Sequence, residues 1–495
     1  MTTLHTQTPQ FFGDICEELR LFIDTRRIEL LDVPEPPADG YCVVHEFFES
    51  DGVMTSRAAL YLDRRKVSEN AYTCPGPPGE LEHKRVAKRA AKISVYRALF
   101  SHFNMAMPWG SLTGVRPTRL LRDSEAALGE AGAKQLFLDE FDVSPGKYAF
   151  AKGIVAAQAG LDPGQHELDI YIGIPFCVTR CAYCSFASST PDVFKGAEAQ
   201  YLDALMAELS DAERLVGSRR VRALYVGGGT PTALSDSNLE TVLARAAQLA
   251  RDADEFTVEA GRPDTITPEK LRIIKASGAS RVSVNAQTLC DETLTRIGRR
   301  HTAAEFMDAY AKASEFGFDI NVDVIAGLPG EDAARLEATL RLIIGLRPAN
   351  ITVHTLAVKR ASAFAAANMD ALPTDAQAAE AVERSRLLLD DAGYLAYYMY
   401  RQKYMKGSQE NAGYTRPGKA CVYNIDNMEE LCDVLAFGVG AISKKLFCSE
   451  ARIERAANIK DLRGYIARLD EVMERKRALF VSGTHGKKKL TEGRS

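Results

Sequence analysis

The sequence predicts an α/β protein: a partial (β/α)6 parallel barrel, preceded by an α+β region and followed by a C-terminal segment. Three observations lead to this. From about Leu168, short β-branched runs alternate with longer amphipathic stretches, the strands recurring every 25–55 residues. Upstream of residue 160 the pattern is instead a hairpin followed by one long helix. After the last alternating unit come a helix and a tyrosine-rich run, "YLAYYMYRQKY". The boundaries implied are 1–160, 161–395 and 396–495, consistent with a chain of 495 residues, too long for one ordinary domain.

In the first region "YCVVHEFFE" and "RAALYLDRR" read as paired strands. The helix "LEHKRVAKRAAKISVYRALFSHF" (81–103) places Val86, Ala90, Ile93, Tyr96 and Phe100 on one side and a solvated basic face on the other. "GSLTGVRPTRLLRD" follows the only tryptophan, Trp109, and "GLDPGQHE" reads as the linker into the barrel. The barrel strands are expected at 168–174, 222–228, 255–261, 280–286, 319–327 and 350–357. Helices are expected at 197–216, 237–250, 267–277, 302–316, 331–346 and 375–393. "ITPEKLRIIKASG" shows why: a capping Thr, Pro at the first turn and a terminal Gly. Strands joined by helices in this way run parallel, so their C-terminal ends form the functional rim. The end of the chain, with Lys487 to Lys489, reads as a frayed tail.

Composition excludes several classes. A net charge of −4 offers nothing to a polyanion, so no nucleic-acid partner is expected. No run approaches the roughly 20 apolar residues of a membrane span, and the start carries no basic-then-apolar leader. Ten mostly isolated cysteines fit free thiols in a reducing cytoplasm.

Three of those cysteines are not isolated. "IPFCVTRCAYCSF" (174–186) sets Cys177, Cys181 and Cys184 directly after the first barrel strand. A structural zinc site wants four ligands, and a disulfide framework wants even numbers. Three clustered thiolates suit a [4Fe–4S] cluster whose fourth iron is left open. Successive strand ends then bring "GGGTPT" (227–232), Glu259 in "VEAGRP", Gln287 in "NAQTL", Arg299 in "RIGRRHT" and Asp323 in "VDVIAGLPGE". Each has an ordinary structural explanation taken singly; the Gly-rich turn, for one, fits a tight βα connection. The other cysteines, Cys16, Cys42, Cys74, Cys290, Cys421, Cys432 and Cys448, form no second close-spaced set, so no auxiliary cluster is expected. Cys421 and Cys432 read as buried free thiols, and His301 and His354 as satisfied structural histidines.

CxxxCxxC after a first barrel strand resembles the radical S-adenosylmethionine superfamily. Together "YIGIPFCVTRCAYCSF", "GGGTPT", "VSVNAQTL", "IGRRHT" and "DVIAGLPGE" resemble its oxygen-independent coproporphyrinogen III dehydrogenase group, HemN/HemW/HemZ, over roughly 168–360. "YYMYRQKYMKGSQENAGYTRPGKACVYNI", "LAFGVGAISK" and the upstream "LTGVRPTRL" look like the HemZ-type branch. The resemblance implies a radical SAM barrel with a [4Fe–4S] cluster on Cys177, Cys181 and Cys184 and S-adenosyl-L-methionine beside it. It places Tyr171, also the candidate catalytic residue, and Tyr183 next to the cluster, and Gly228 and Glu259 on the first adenosylmethionine. A second adenosylmethionine would correspond to Gly229, Thr230, Gln287, Arg299 and Asp323, with Ala357 at its adenine.

The activity implied is oxidative decarboxylation of two coproporphyrinogen III propionates to vinyls in haem biosynthesis. A reducing donor such as flavodoxin or ferredoxin would feed the cluster, and residues 396–495 would cover the porphyrinogen substrate. Arg299, Arg300, Lys359, Arg360, Arg401 and Lys403 are candidate propionate clamps. Two departures bear on this. Gly173 stands where relatives of the group carry a histidine, and Phe186 where the dehydrogenase branch has a fourth cysteine. The second resembles the haem-chaperone branch, so haem binding and delivery is the alternative, with another radical SAM substrate a third.

Overall fold

The computed structural model describes residues 2–25, 27–114, 116–184, 196–357, 364, 372–403, 405–450 and 452–481. Phe186, Lys359, Arg360 and the tail lysines lie outside the described residues. The chain divides into two compact units, one of residues 1–155 with 401–403, the other of residues 156–400 with 404–495.

The first unit is built on a five-stranded sheet of order β2-β1-β3-β4-β5. The strands are β1 (Thr2–Thr6), β2 (Ile28–Leu30), β3 (Tyr41–Ser50), β4 (Val53–Leu62) and β5 (Arg65–Pro75). The anticipated hairpin is β3–β4, joined through Asp51 and Gly52 with register running from Tyr41↔Leu62 to Ser50↔Val53. Helices Phe12–Phe22 and Glu80–Phe103 contribute Ile15, Leu19, Ala91, Val95 and Leu99 to a core with Leu4, Val43, Met54 and Leu60. The long helix departs from its expected face. Its second half is buried nearly all round, from Ala90 to Leu99, while Phe100 turns outward. The basic side is partly engaged as well, for Lys92 reaches the fully buried Glu18 at 3.3 Å.

His45, fully buried on β3, shares hydrogen bonds with Thr6 Oγ1 through Nδ1 (2.9 Å) and with Ser56 Oγ through Nε2 (2.8 Å). Burial, assisted by the charge of His5, lowers its pKa to about 4. A histidine held neutral in the fold stabilises it above pH 6.5, and that contribution is lost as pH falls from 6.5 towards 4. The loss is roughly 3 kcal/mol at the acid end. Thermal melts of His45→Gln against the parent should therefore show a gap that narrows over this window, as the parent loses Tm the faster.

The second unit carries one eleven-stranded sheet of order β12-β13-β11-β10-β9-β8-β7-β6-β14-β15-β16. Its centre is β6 (Glu167–Ile174), β7 (Arg220–Gly228), β8 (Glu255–Gly261), β9 (Arg281–Val284), β10 (Asp319–Ala326) and β11 (Asn350–Thr355). All six are parallel and adjacent in chain order, with helices at each crossover, which makes a partial (β/α)6 barrel. The crossover helices start where the caps stand: Thr267 accepts from Lys270 N, and Thr302 with Glu305 forms a full capping box. The expected 197–216 helix breaks after Leu209 and resumes at Ala212.

The barrel is flanked rather than closed. β14 (Asp433–Phe437) pairs parallel to β6 and carries β15 (Ile442–Phe447) and β16 (Arg452–Ala457) beyond it. On the other side β13 (Asn411–Thr415) runs antiparallel to β11, with β12 (Leu395–Tyr400) outermost. Along β6, Leu168, Ile170, Ile172 and Ile174 are fully buried on the helix side. The alternating positions face inward and are largely polar: Asp169 and Tyr171, Glu255 and Glu259, Arg281 and Asn285, Asn321 and Asp323, Thr352 and His354. No helix among the described residues is long and apolar enough to cross a membrane.

Candidate functional site

The cysteine loop leaves β6 at Ile174, and the glycine turn at the end of β7 holds it. Gly229 N donates to Ile174 O and Thr230 N to Phe176 O, both at 2.7 Å. A Cβ on Gly229 would stand 2.6 Å from Phe176 O, so only glycine admits this approach. Gly228 itself has φ +109° and packs against the Tyr171 hydroxyl. The amides of Gly229 and Thr230 therefore serve the loop.

Cys177, Cys181 and Cys184 are half-buried cysteines joined in no disulfide. Cys177 Sγ lies 3.5 Å from Thr230 Oγ1. The far side of the loop is tied to the unit after β9: Ala182 N donates to Ile297 O at 2.9 Å and Thr179 Oγ1 to Gly298 O at 3.3 Å. Arg262, nearly fully buried after β8, donates to Thr179 Oγ1 at 2.7 Å and places Nη1 3.9 Å from Cys181 Sγ. It is braced by Asp264 at 2.7 Å. A guanidinium beside thiolates offsets the negative charge that such a ligand set gathers. "VEAGRP" contains this arginine, but only its glutamate stood out in the sequence.

Two polar groups face the thiol loop. The first lies on β6–β8. Glu259 accepts from Gly228 N and the Tyr225 hydroxyl, and burial with the charge of Asp323 raises its pKa to about 7. Tyr171 stacks at 17° on Tyr225 and at 20° on Tyr423, a packing that its place beside the cysteines did not announce. The second group lies on β9–β10. Arg299 donates from Nη1 to Asn285 O (2.8 Å) and from Nη2 to the Tyr183 hydroxyl (3.3 Å). Burial pushes the Tyr183 phenol up. Asp323 faces His354 Nε2 at 3.7 Å and accepts from Asn321 Nδ2 at 2.8 Å. Burial would raise its carboxyl, but these partners outweigh it and hold the pKa below the usual value.

β9 ends at Val284, earlier than expected, because the chain swings through Gln287 at φ +64° to bridge Val324. A non-glycine residue in that region is uncommon and strained. Gln287 Oε1 is buried with no hydrogen-bond partner among the described residues. A buried acceptor left so can receive a donor from a ligand or a water. Three cysteines in one loop, an acidic side chain and this bare acceptor fit a cluster and a cationic amino-acid cofactor.

Ala357 bridges Met405 beyond the end of β11. Two clamp candidates are otherwise engaged. Arg401 lies 5.6 Å over the Trp109 ring and bonds Leu112 O, and Lys403 pairs with Glu17, all within the first unit. Arg300, by contrast, is exposed beside Arg299, Arg180 and His301 in a cavity of about 500 Å³. A second cavity of about 270 Å³ runs from Tyr171, Gly173 and Gly228 to Val439, Gly440, Ala441 and Lys460. Gly173 helps to open it, since a Cβ there would stand 3.2 Å from the Tyr171 ring. The 439–441 turn stood in a quoted motif, and only its adjacency to β6 reveals it as part of the site.

This constellation on a partial barrel defines the class, and the family comparison agrees: residues 171–343 match the model described as "Radical SAM superfamily". Within it the chain belongs to the HemN/HemW/HemZ group. It is 34% identical to the oxygen-independent coproporphyrinogen-III oxidase-like protein HemZ of Bacillus subtilis (strain 168), over 80% of this chain and 82% of that one. It is 31% identical to the heme chaperone HemW of Escherichia coli (strain K12), over 60% and 75%. The solved coproporphyrinogen III oxidase HemN from Escherichia coli superposes with a TM-score of 0.52 at 25% identity, covering 64% of this chain and 72% of that one. The cofactors that go with this family are a [4Fe–4S] cluster and S-adenosylmethionine.

Proposed function

We propose that the chain catalyses the oxygen-independent decarboxylation of coproporphyrinogen III, turning two propionates into the vinyls of protoporphyrinogen IX. The observation that carries this reading is the convergence of two polar groups on one thiol loop: Glu259 with Tyr171 on one side, and Gln287, Arg299 and Asp323 on the other. The names of the Bacillus HemZ relative and of the HemN structure support it. Cys177, Cys181 and Cys184 would hold the cluster, with Tyr171 and Tyr183 beside it. Gly228 and Glu259 would hold one adenosylmethionine; a second would correspond to Gly229, Thr230, Gln287, Arg299 and Asp323, with Ala357 at its adenine.

When bound, the cluster and adenosylmethionine supply a carbon radical strong enough to take a hydrogen atom from a propionate β-carbon. The carboxylate of that propionate would then leave as carbon dioxide, its two remaining carbons would stay as the vinyl, and the one electron released would pass to an external acceptor. The protein's part is to hold, orient and exclude water. Glu259, as carboxylate, pairs with an ammonium, Tyr171 forms a flat wall beside the thiols, and Arg299 with Arg300 offers cationic partners to carboxylates. The 439–441 turn and Lys460, from the region 396–495, line the cavity next to Tyr171, which suits a substrate-covering role. A flavodoxin or ferredoxin in the cytoplasm would be the reductant.

Haem binding and delivery is the second reading, favoured by Phe186 in place of a fourth cysteine and by the similarity to HemW. Anaerobic incubation with adenosylmethionine, dithionite and coproporphyrinogen III separates the two. The proposed enzyme forms vinyl product and deoxyadenosine only with porphyrinogen present. Tight stoichiometric haem binding with no decarboxylated product, from protein with an intact and reducible cluster, overturns the proposal.

A further inference from the structure

The barrel's inner face holds a second set of metal-ligating side chains, at the opposite end of β6 from the thiol loop. Asp169 on β6, Asp426 on the helix Val422–Glu429 and Cys432 in the turn before β14 bring a carboxylate oxygen, a carboxylate oxygen and a sulfur within 4.8 Å of one another. All three residues are buried, the two aspartates completely. The Cys432 thiol faces Asp169; beyond it, neither oxygen of Asp169 has a hydrogen-bond partner among the described residues. Arg222 Nε lies 2.9 Å from Asp426 Oδ2, and its Nη1 also pairs with Glu167 at 3.5 Å. Two carboxylates with one guanidinium, out of water, leave a costly imbalance.

A single proton shared between the two carboxyls would pair one oxygen of each and leave the other two oxygens bare. A divalent cation does more: with Arg222 it balances two carboxylates and a thiolate, and it uses the oxygens that hydrogen bonds leave unused. We infer that Asp169, Asp426 and Cys432 form a second metal site, one that takes a borderline-soft divalent cation of the zinc type. One sulfur and two oxygens suit that ion, with a fourth position open to water. The inference is independent of the porphyrinogen reading. Its role is positional: Asp426 lies one helical turn from Tyr423, whose ring stacks on Tyr225 at 4.8 Å and beneath Tyr171. An ion on Asp426 fixes the floor on which Tyr171 rests.

Elemental analysis of anaerobically purified, full-length protein should find about one zinc per chain besides cluster iron, and Cys432→Ser should lose it. A Cys177→Ala/Cys181→Ala/Cys184→Ala chain, stripped by chelator and titrated with Co²⁺ alone, should show a thiolate-to-cobalt charge-transfer band in the near ultraviolet. That band should vanish on adding Cys432→Ser and persist on adding Cys421→Ser. No band in the stripped chain, or a band unchanged by Cys432→Ser, overturns the site. Should Cys432→Ser fail to fold, X-ray absorption at the zinc edge of the stripped, zinc-loaded chain decides instead. One sulfur among oxygen scatterers is expected; no sulfur, or several, refutes it.

Discussion

Cys181→Ala, reconstituted anaerobically with iron and sulfide, should hold essentially no [4Fe–4S] centre. Three thiolates from one loop would be the whole protein ligand set, so removing one would leave two where a cubic cluster needs three. Cys181 is the central ligand in sequence, and its sulfur is the one that Arg262 approaches. No other cysteine falls within the loop, which also makes polar contacts to Thr230, Ile297, Gly298 and Arg299. The brown absorbance, the iron and sulfide content and the paramagnetic signal of the reduced protein should all disappear together. Cys448→Ala, at an exposed thiol, should retain them in full. A complete cluster in Cys181→Ala would end the assignment of the loop.

Glu259→Gln should keep the cluster and weaken adenosylmethionine binding by about 10- to 100-fold, the range for losing one partner of a charged hydrogen bond. The carboxyl stands near Tyr171 and the glycine turn, where burial and Asp323 lift it to about 7. An ammonium must find it ionised, so its affinity in the parent should fall by about tenfold for each pH unit below 7. In Glu259→Gln that slope should flatten. Equilibrium binding to the cluster-loaded protein over pH 6 to 8 reads both effects. A parent with no slope and a variant with parent affinity would remove Glu259 from the cofactor.

Most of the barrel was legible because each parallel strand is a short β-branched run fenced by a helix with its own cap. Strand ends agree closely at 168–174 and 222–228. The flanking strands were harder. β14 reads as an unremarkable apolar run after a short helix, and nothing local says that it returns beside β6. β1 and β2 are short, and their pairing is set by partners far along the chain. At the site the acids and Arg299 could be picked out by order along the strands, but their supports could not. Tyr225 and Tyr423 look like core residues in sequence, and only inward alternation across two elements stacks them on Tyr171. Arg401 and Lys403 misled for the same reason. A cation's role depends on what faces it, and here Trp109 and Glu17 do.

The bonds from Gly229 and Thr230 to the cysteine loop have a consequence for the protein's life in the presence of oxygen. They are main-chain bonds, and they clamp the loop's near half without help from any thiol. Arg262 and the carbonyls of Ile297 and Gly298 do the same for the far half. The loop's shape is thus written in protein rather than in metal. When oxidation strips the iron, the thiols should keep their places, and a damaged centre should be rebuilt on the spot once its sulfurs are reduced and iron and sulfide are supplied. Refolding would not limit recovery; the chemical reduction of the half-buried sulfurs would.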